Sequence, residues 1–537
     1  MEEGRYQNAH PVKVRGATYT PVELARFVAT GLLPYLPCDP GGAPLRVLDP
    51  AVGDGVLLQA CVEVFSKTSL HLFGFDSNAE AVAAARTRLG LHAGAPEVTI
   101  TTGDFLEAAS DERQHPYDVV IANPPYVRTQ VLGRKRSREL ARRHGLEGRV
   151  DLYHAFLLAM ADTLRPGGVA GIITSNRFMT TRAGEGLRER LPELFDFLHV
   201  WDLGDTKLFD AAVLPCVLIA RRRQPGASQA SPPTRFTTIY SSSESAERVV
   251  GHPVEALEHE GLVEIEDGRT FEVRHGTLDI SGRNVWRLTT PESSSFLDQV
   301  TQCTWKTFGE VGPIRVGIKT TADRVFVHDD WATRCPGRLP ELLRPLITHH
   351  VGKRFRGHSP TRQVLYPHEV VDGKRRAIDL QGFPASKNYL ESHRERLSAR
   401  KYLIDAGRAW YELWVPQDPD AWAKPKLVFR DIAREPMAWI DLDGSIVNGD
   451  CYWMTLFDGV DEDTLWLAMA VANSTFAEHF YDFRFHNKLY AGRRRYITQY
   501  LRHFPLPEPT TTGALHAVTL TRSLYAEPCR ELAAELD

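Results

Sequence analysis

The chain holds only seven cysteines in 537 residues, scattered singly, with no Cys-Cys or Cys-His pair at ligand spacing. A disulfide framework is thereby excluded, and reduced structural thiols without a bound metal are expected. No apolar run is long enough to span a bilayer, and Met1-Glu2-Glu3-Gly4-Arg5 has neither the basic nor the apolar segment of a signal peptide. A cytoplasmic protein is the expectation. Basic excess is missing as well: the net charge of −4 does not by itself point to nucleic acid. Internal repeats and extended low-complexity tracts are not evident, which sets solenoids and fibrous classes aside. What remains is a globular composition, 43% apolar and 25% charged, on a chain long enough for two to four domains.

The first glycine turn is informative for what it lacks. Leu45-Arg46-Val47-Leu48-Asp49 reads as a strand, Pro50 to Gly55 as a turn and Val56 to Phe65 as a helix, the form used where backbone must approach a ligand closely. A P-loop lysine is missing, and Leu58 stands where a dinucleotide site would place its third glycine. Phosphate and nicotinamide cofactors are therefore disfavoured. An acid at the strand end, Asp49, suits a cationic or amino-bearing ligand and favours S-adenosylmethionine. The next strand, His71 to Phe75, ends in Asp76, where nucleoside sites put a carboxylate on ribose hydroxyls. A third, Val98 to Thr101, leads to Gly103-Asp104-Phe105, a carboxylate and a ring for an adenine. Upstream, Thr20-Pro21 with Glu23 three places on from Thr20 reads as a helix start capped by Thr20.

The fourth strand, Tyr117 to Ala122, is short, apolar and rich in β-branched residues, and Asn123-Pro124-Pro125-Tyr126 follows it directly. Two prolines stiffen the backbone and supply no N–H, so carbonyl oxygens face outward beside the asparagine amide. Such a site suits an exocyclic amine. Taken alone it is better read as an ordinary strand-ending Pro-Pro turn, and three acids at successive strand ends are what give it weight.

In this order the motifs resemble those of the class I S-adenosylmethionine-dependent amino-methyltransferases of DNA, specifically the γ-class, Taq-type adenine N6 enzymes of restriction-modification systems. The ordered set is Thr18-Tyr19-Thr20-Pro21, Asp49 to Gly55, Asp76, Asp104-Phe105, Asn123 to Tyr126, Asp151 to Phe156, Leu164 to Gly168 and Phe209 to Val217. It covers roughly residues 12 to 222. The resemblance implies a Rossmann-like α/β domain with a mixed seven-stranded sheet and a C-terminal α+β target-recognition domain. It implies that Thr20 and the glycine loop (Asp49, Ala51, Gly53, Gly55) hold the methionine part of the cofactor, Asp76 its ribose, and Asp104, Phe105 and Phe156 its adenine. It also implies that Asn123 and Pro124 accept hydrogen bonds from the target amine. Tyr126 and Phe209 then stack on the flipped base, although Phe209 outside this motif would be read as core. The 20 histidines, His154 included, are left as structural or surface residues.

Beyond Arg221-Arg222-Arg223 a Pro/Gly/Ser stretch reads as a linker, and 236–300 stays without a clear assignment. Ile314 to Phe326, Lys426 to Ile432 and Tyr452 to Met454 resemble landmarks of the family's recognition domain. Basic runs interleaved with aromatics follow the same division: Arg134-Lys135-Arg136, Lys353-Arg354, Lys374-Arg375-Arg376, Arg484 with Lys488, and Arg493-Arg494. Each could be a solvated face, but together they favour phosphate contacts to double-stranded DNA.

The expected organisation is a catalytic domain over 1–235, a connecting segment over 236–300 and a recognition domain over 301–537. The expected activity is transfer of methyl from S-adenosylmethionine to adenine N6 in duplex DNA. Cytosine N4, an RNA base or a protein glutamine are the competing amines, and a non-catalytic recognition subunit is a third class. No nuclease constellation is evident, so cleavage would fall to a separate restriction endonuclease or defence-system subunit.

Overall fold

A computed structural model describes residues 20–37, 43–90, 96–112, 116–127, 134–146, 150–209, 214–226, 233–280, 285–485 and 492–536. Two compact units are present, and the main division falls between Ser293 and Ser294.

The first unit is built on a sheet whose leading seven strands are β1 (Leu45–Asp49), β2 (Leu70–Asp76), β3 (Glu97–Thr102), β4 (Tyr117–Ala122), β5 (Leu164–Ser175), β6 (Phe195–Asp202) and β7 (Pro215–Arg222). Their spatial order is β3-β2-β1-β4-β5-β7-β6. All neighbours among β1 to β5 run parallel, and β7 is antiparallel to both β5 and β6. This is the mixed seven-stranded sheet of class I methyltransferases. Strand order reverses between β1 and β4, so the loops leaving their carboxyl ends part there and open a crevice for a ligand.

Burial explains why the central strands are almost continuously apolar. On β4, Val120 belongs to the core of one sheet face with Phe105, Phe156 and Ile172, whereas Val119 and Ile121 belong to the other with Val28, Leu58 and Ile219. Covered on both faces, such a strand cannot alternate apolar and polar residues. Helix α1 (Val22–Leu32) covers the second face through Leu24, Ala25, Val28, Ala29 and Leu32, all inaccessible to solvent. Helices α2 (Val56–Val64) and α3 (Ala79–Leu89) return the chain between the first strands.

The segment left without assignment by its sequence extends this sheet. β8 (Thr234–Ser242) pairs parallel with β6, and β9 (Arg248–Val250), β10 (Gly261–Ile265), β11 (Thr270–Asp279) and β12 (Arg287–Thr289) continue outward to make twelve strands. The β6 edge, otherwise a row of unpaired backbone groups, is thereby covered.

The second unit is α+β. Its central antiparallel sheet takes Ile314–Val316, Cys451–Met454, Lys426–Arg430 and Ala438–Asp441 in that order, with helices Asp463–Asn473, Thr475–Phe485 and Thr512–Ala526 in the same unit. The loop 352–357 is moulded to Trp439: a Cβ on Gly352 or Gly357 would lie 2.3 or 2.6 Å from that ring. Only glycine permits such an approach. Among the described residues, no helix is long and apolar enough to cross a membrane.

Candidate active site

The turn after β1 adopts its shape through two left-handed glycines, Gly53 at φ 53° and Gly55 at φ 83°. Asp76 ties three loops together. Its Oδ2 accepts the Gly53 N–H at 3.0 Å, its Oδ1 accepts the Asn78 N–H at 2.8 Å, and its backbone carbonyl accepts the Gly103 N–H at 2.9 Å. Each carboxylate oxygen keeps a further lone pair. The loops after β1, β2, β3 and β4 border a cavity of about 610 Å³, lined by Ala51, Gly53, Asp76, Asp104, Phe105 and Phe156 together with Asn123 to Tyr126. Pro50, Ser77, Asn78 and Leu152 also line it, and the sequence reading had not assigned them. Asn78 was open to detection, since an Asn two places past a strand-end acid marks a helix cap, and its Oδ1 does accept the Glu80 N–H.

Four expected site residues do not line this cavity: Thr20, Asp49, Gly55 and Phe209. Asp49 is inaccessible and turns its Oδ1 to the Ala51 N–H at 3.0 Å, while Oδ2 has no hydrogen-bond partner among the described residues. Burial is the main cause that pushes its carboxyl up to about 8, with the Asp76 and Asp54 charges adding to it. Asp49 therefore braces the turn from behind. Phe209 is 8% exposed and packs in the core on the α1 side of the sheet. Residues 210–213, the continuation of its motif, lie outside the described residues, as do Thr18 and Tyr19.

Thr20 departs from the expected helix cap. Pro21 occupies the cap position of α1 without any side-chain hydrogen bond, and the Thr20 hydroxyl instead accepts the Asn123 Nδ2–H at 3.0 Å. The other end of the same amide, Oδ1, accepts the Tyr126 hydroxyl at 2.8 Å. Tyr126 meets Tyr153 edge to face at 6.5 Å, and desolvation holds its phenol well above the ordinary range. Behind it, His154 is 2% exposed, and burial pulls its imidazole down to about 4, so it stays neutral at physiological pH. Phe105 and Phe156 lie 5.8 Å apart. Asp104 spends Oδ1 on the Leu106 N–H and Oδ2 on Arg136 at 3.2 Å.

This donor set fits S-adenosylmethionine. Carboxylates at the ends of β2 and β3 suit ribose hydroxyls and an adenine amine, the two rings suit the adenine faces, and a glycine turn suits close approach of the methionine chain.

The residues expected on DNA separate into groups. Lys353 and Arg493 are exposed, as is Arg484 at the end of its helix. Arg354 donates to the Asn473 carbonyl and lies over Phe355 at 5.3 Å. Arg136 is engaged by Asp104 and lies within 3.8 Å of Glu107 and 3.6 Å of Glu139. Arg134 and Lys135 open the helix Arg134–His144, but their side chains lie outside the described residues, as does Lys488 entirely. Arg494 requires a correction. It is 5% exposed, bonded twice to Asp482 at 2.7 Å and to Glu478 at 2.6 Å, and it donates to the Arg434 carbonyl. A guanidinium so enclosed is part of the fold and is not available to phosphate.

Fold and cavity together define an S-adenosylmethionine-dependent methyltransferase. Comparison with known proteins narrows this. Residues 71–209 match the Eco57I restriction-modification methylase family, and 370–506 match the TaqI-like C-terminal specificity domain. The Type II methyltransferase M.BanIII of Aneurinibacillus aneurinilyticus is 35% identical over 98% of this chain and 95% of its own, and M.BstVI of Geobacillus stearothermophilus is 24% identical over 93% and 91%. The chain belongs to the Taq-type restriction-modification DNA methyltransferases. In fold it is similar to the DNA-bound ATP-dependent Type ISP restriction-modification enzyme LlaBIII, with a TM-score of 0.54 at 11% identity, covering 95% of this chain and 40% of that one.

Proposed function

We propose that this enzyme methylates the N6 amine of an adenine flipped out of duplex DNA. One observation carries the reading: Asn123, Pro124, Pro125 and Tyr126 line the same cavity as the carboxylates and rings suited to the cofactor. Adenine N6 is a poor nucleophile because its lone pair is delocalised into the ring. Hydrogen bonds from the amine to Asn123 Oδ1 and to the Pro124 carbonyl would draw the nitrogen toward tetrahedral geometry and free that lone pair. S-adenosylmethionine supplies an electrophilic methyl on a sulfonium. The protein contributes orientation and preorganised dipoles, which need no reorganisation at the moment of reaction. A base before attack is unnecessary, because the amine becomes acidic only once alkylated, and His154 does not line the cavity.

Extrusion of a paired base costs a few kcal/mol. Stacking on Tyr126 offsets about 1–3 kcal/mol of it. Phe209, core-packed in this structure, serves as the opposing ring only if its loop rearranges on binding. The cofactor roles assigned to Ala51, Gly53, Asp76, Asp104, Phe105 and Phe156 belong to the same proposal, as do phosphate contacts by Lys353, Arg484 and Arg493. Cleavage in the same system is assigned to a separate restriction endonuclease.

The test supplies methyl-labelled S-adenosylmethionine with duplex DNA, RNA and protein in separate arms, followed by base analysis. N6-methyladenine in the DNA arm is expected. N4-methylcytosine there would replace adenine with the cytosine amine, and label confined to RNA or protein would overturn the DNA reading.

A further inference from the structure

The amide of Asn123 has an acceptor end and a donor end of nearly equal size, and only the acceptor end can receive an amine N–H. Which end faces the cavity is therefore decisive. Two hydroxyls, those of Thr20 and Tyr126, hydrogen-bond this amide, and a hydroxyl can donate or accept. The two differ in acidity: a phenol is the stronger donor and an aliphatic alcohol the better acceptor. Their chemistry thus favours one orientation, Nδ2 on Thr20 at 3.0 Å and Oδ1 on Tyr126 at 2.8 Å.

The fold holds Thr20 rigidly for this task. Its backbone precedes Pro21, which confines it to extended conformations. The helix that follows is anchored by five solvent-inaccessible side chains, from Leu24 to Leu32. Its hydroxyl caps no helix and does not line the cofactor cavity. Tyr126, in turn, donates to Oδ1 at the distance an incoming amine N–H would adopt. Entry of the base therefore exchanges one donor for another at an acceptor already aimed.

We infer that Thr20 is a positioning residue, acting through Asn123 Nδ2 to keep Oδ1 directed at the target amine, with the Tyr126 hydroxyl holding that acceptor until the amine arrives. This rests on the proposed reading of the site as an amine-methylating centre. Thr20→Val keeps the shape of the side chain and removes its hydroxyl, whereas Thr20→Ser keeps the hydroxyl. With the full-length enzyme and duplex DNA, Thr20→Val should lower kcat about 10- to 100-fold, the range a misaimed reacting group costs. Its KM for DNA, its Kd for S-adenosylmethionine and its melting temperature should remain near wild type, and Thr20→Ser should restore kcat to within about threefold. Unchanged kcat in Thr20→Val overturns the inference. So does a defect confined to the Kd for S-adenosylmethionine, which would make Thr20 a cofactor ligand. If Thr20→Val fails to fold, Thr20→Ala serves in its place, with the same kcat and Kd outcomes expected. A wild-type enzyme that transfers no methyl to DNA would overturn the functional reading itself, an outcome separate from any difference between variants.

Discussion

The end of β4 and the run Arg493-Arg494-Arg495 each place polar side chains beside an aromatic, Tyr126 or Tyr496, yet they have opposite fates. Asn123 stands where a buried parallel strand stops, and although Thr20 and Tyr126 hold its amide, it still lines a cavity. Arg494 stands in a short strand facing the helix Thr475–Phe485, whose Glu478 and Asp482, one turn apart, enclose its guanidinium. Arg495 is likewise paired, with Asp431 at 3.0 Å, whereas Arg493 is exposed. A polar residue is available for chemistry when the groups that hold it leave it facing a cavity, and not when they enclose it. Local sequence reports the first region well, because strand ends are local. It reports the second poorly, because the claimants are brought in by tertiary folding.

Asn123→Ala probes that contrast most severely. Turnover should fall by at least about 10²–10³-fold, the usual cost of removing a preorganised hydrogen-bonding group at the reacting centre. Binding of S-adenosylmethionine, followed by calorimetry, should be largely retained, and retained turnover would refute the amine contact. Arg494→Ala should act on the fold instead: leaving Asp482 and Glu478 without their cation should cost about 3–5 kcal/mol of stability in the second unit, read by thermal or chemical denaturation. If it weakened DNA binding with no loss of stability, the separation drawn between the two regions would be wrong.

Asp49→Asn addresses the turn behind the cavity through pH. The folded carboxyl titrates at about 8. The unfolded one titrates near 4. Between those values the folded state holds a proton that the unfolded state has released, so the contribution of this group to stability falls as pH rises from about 4 through 8. Asn at this position should flatten that decline in ligand-free protein, and an unchanged pH profile of the melting temperature would show that Asp49 is not its source. Arg493→Ala should reduce the slope of log K against log salt for DNA by about 1 while leaving stability unchanged. The smallest effect is expected from Arg136→Ala. Releasing Asp104 from a half-exposed ion pair worth about 0–1 kcal/mol should tighten S-adenosylmethionine by no more than about fivefold, and no change in the salt slope for DNA should accompany it.

Much of the catalytic unit was legible in advance. Asp76, Asp104, Phe105, Phe156 and the Asn-Pro-Pro-Tyr stretch come together because each lies at or near the end of an element whose apolar pattern is read directly. The extension 234–289 was not legible, since it completes a sheet edge whose strands are far away in sequence, and partly exposed strands carry weak patterns. Thr20 was read as a helix cap because Thr-Pro-x-Glu is a good local start, and the 103-residue separation from Asn123 hides its actual bond. Glu478 and Asp482 do carry a readable signal, since they stand four residues apart, on one face of the helix Thr475–Phe485, just before the basic run.

Sequence by itself determined the class of fold, the cofactor and the place of the Asn-Pro-Pro-Tyr stretch at a strand end, because strand periodicity, glycine turns and strand-end acids act over a few residues. Tertiary structure alone decided which polar groups remain open to a ligand. It turned Asp49 and Arg494 inward, put Arg136 on Asp104 and joined Thr20 to Asn123. Burial and pairing depend on neighbours distant in the chain, and a buried charge or amide must find its partners wherever the fold brings them.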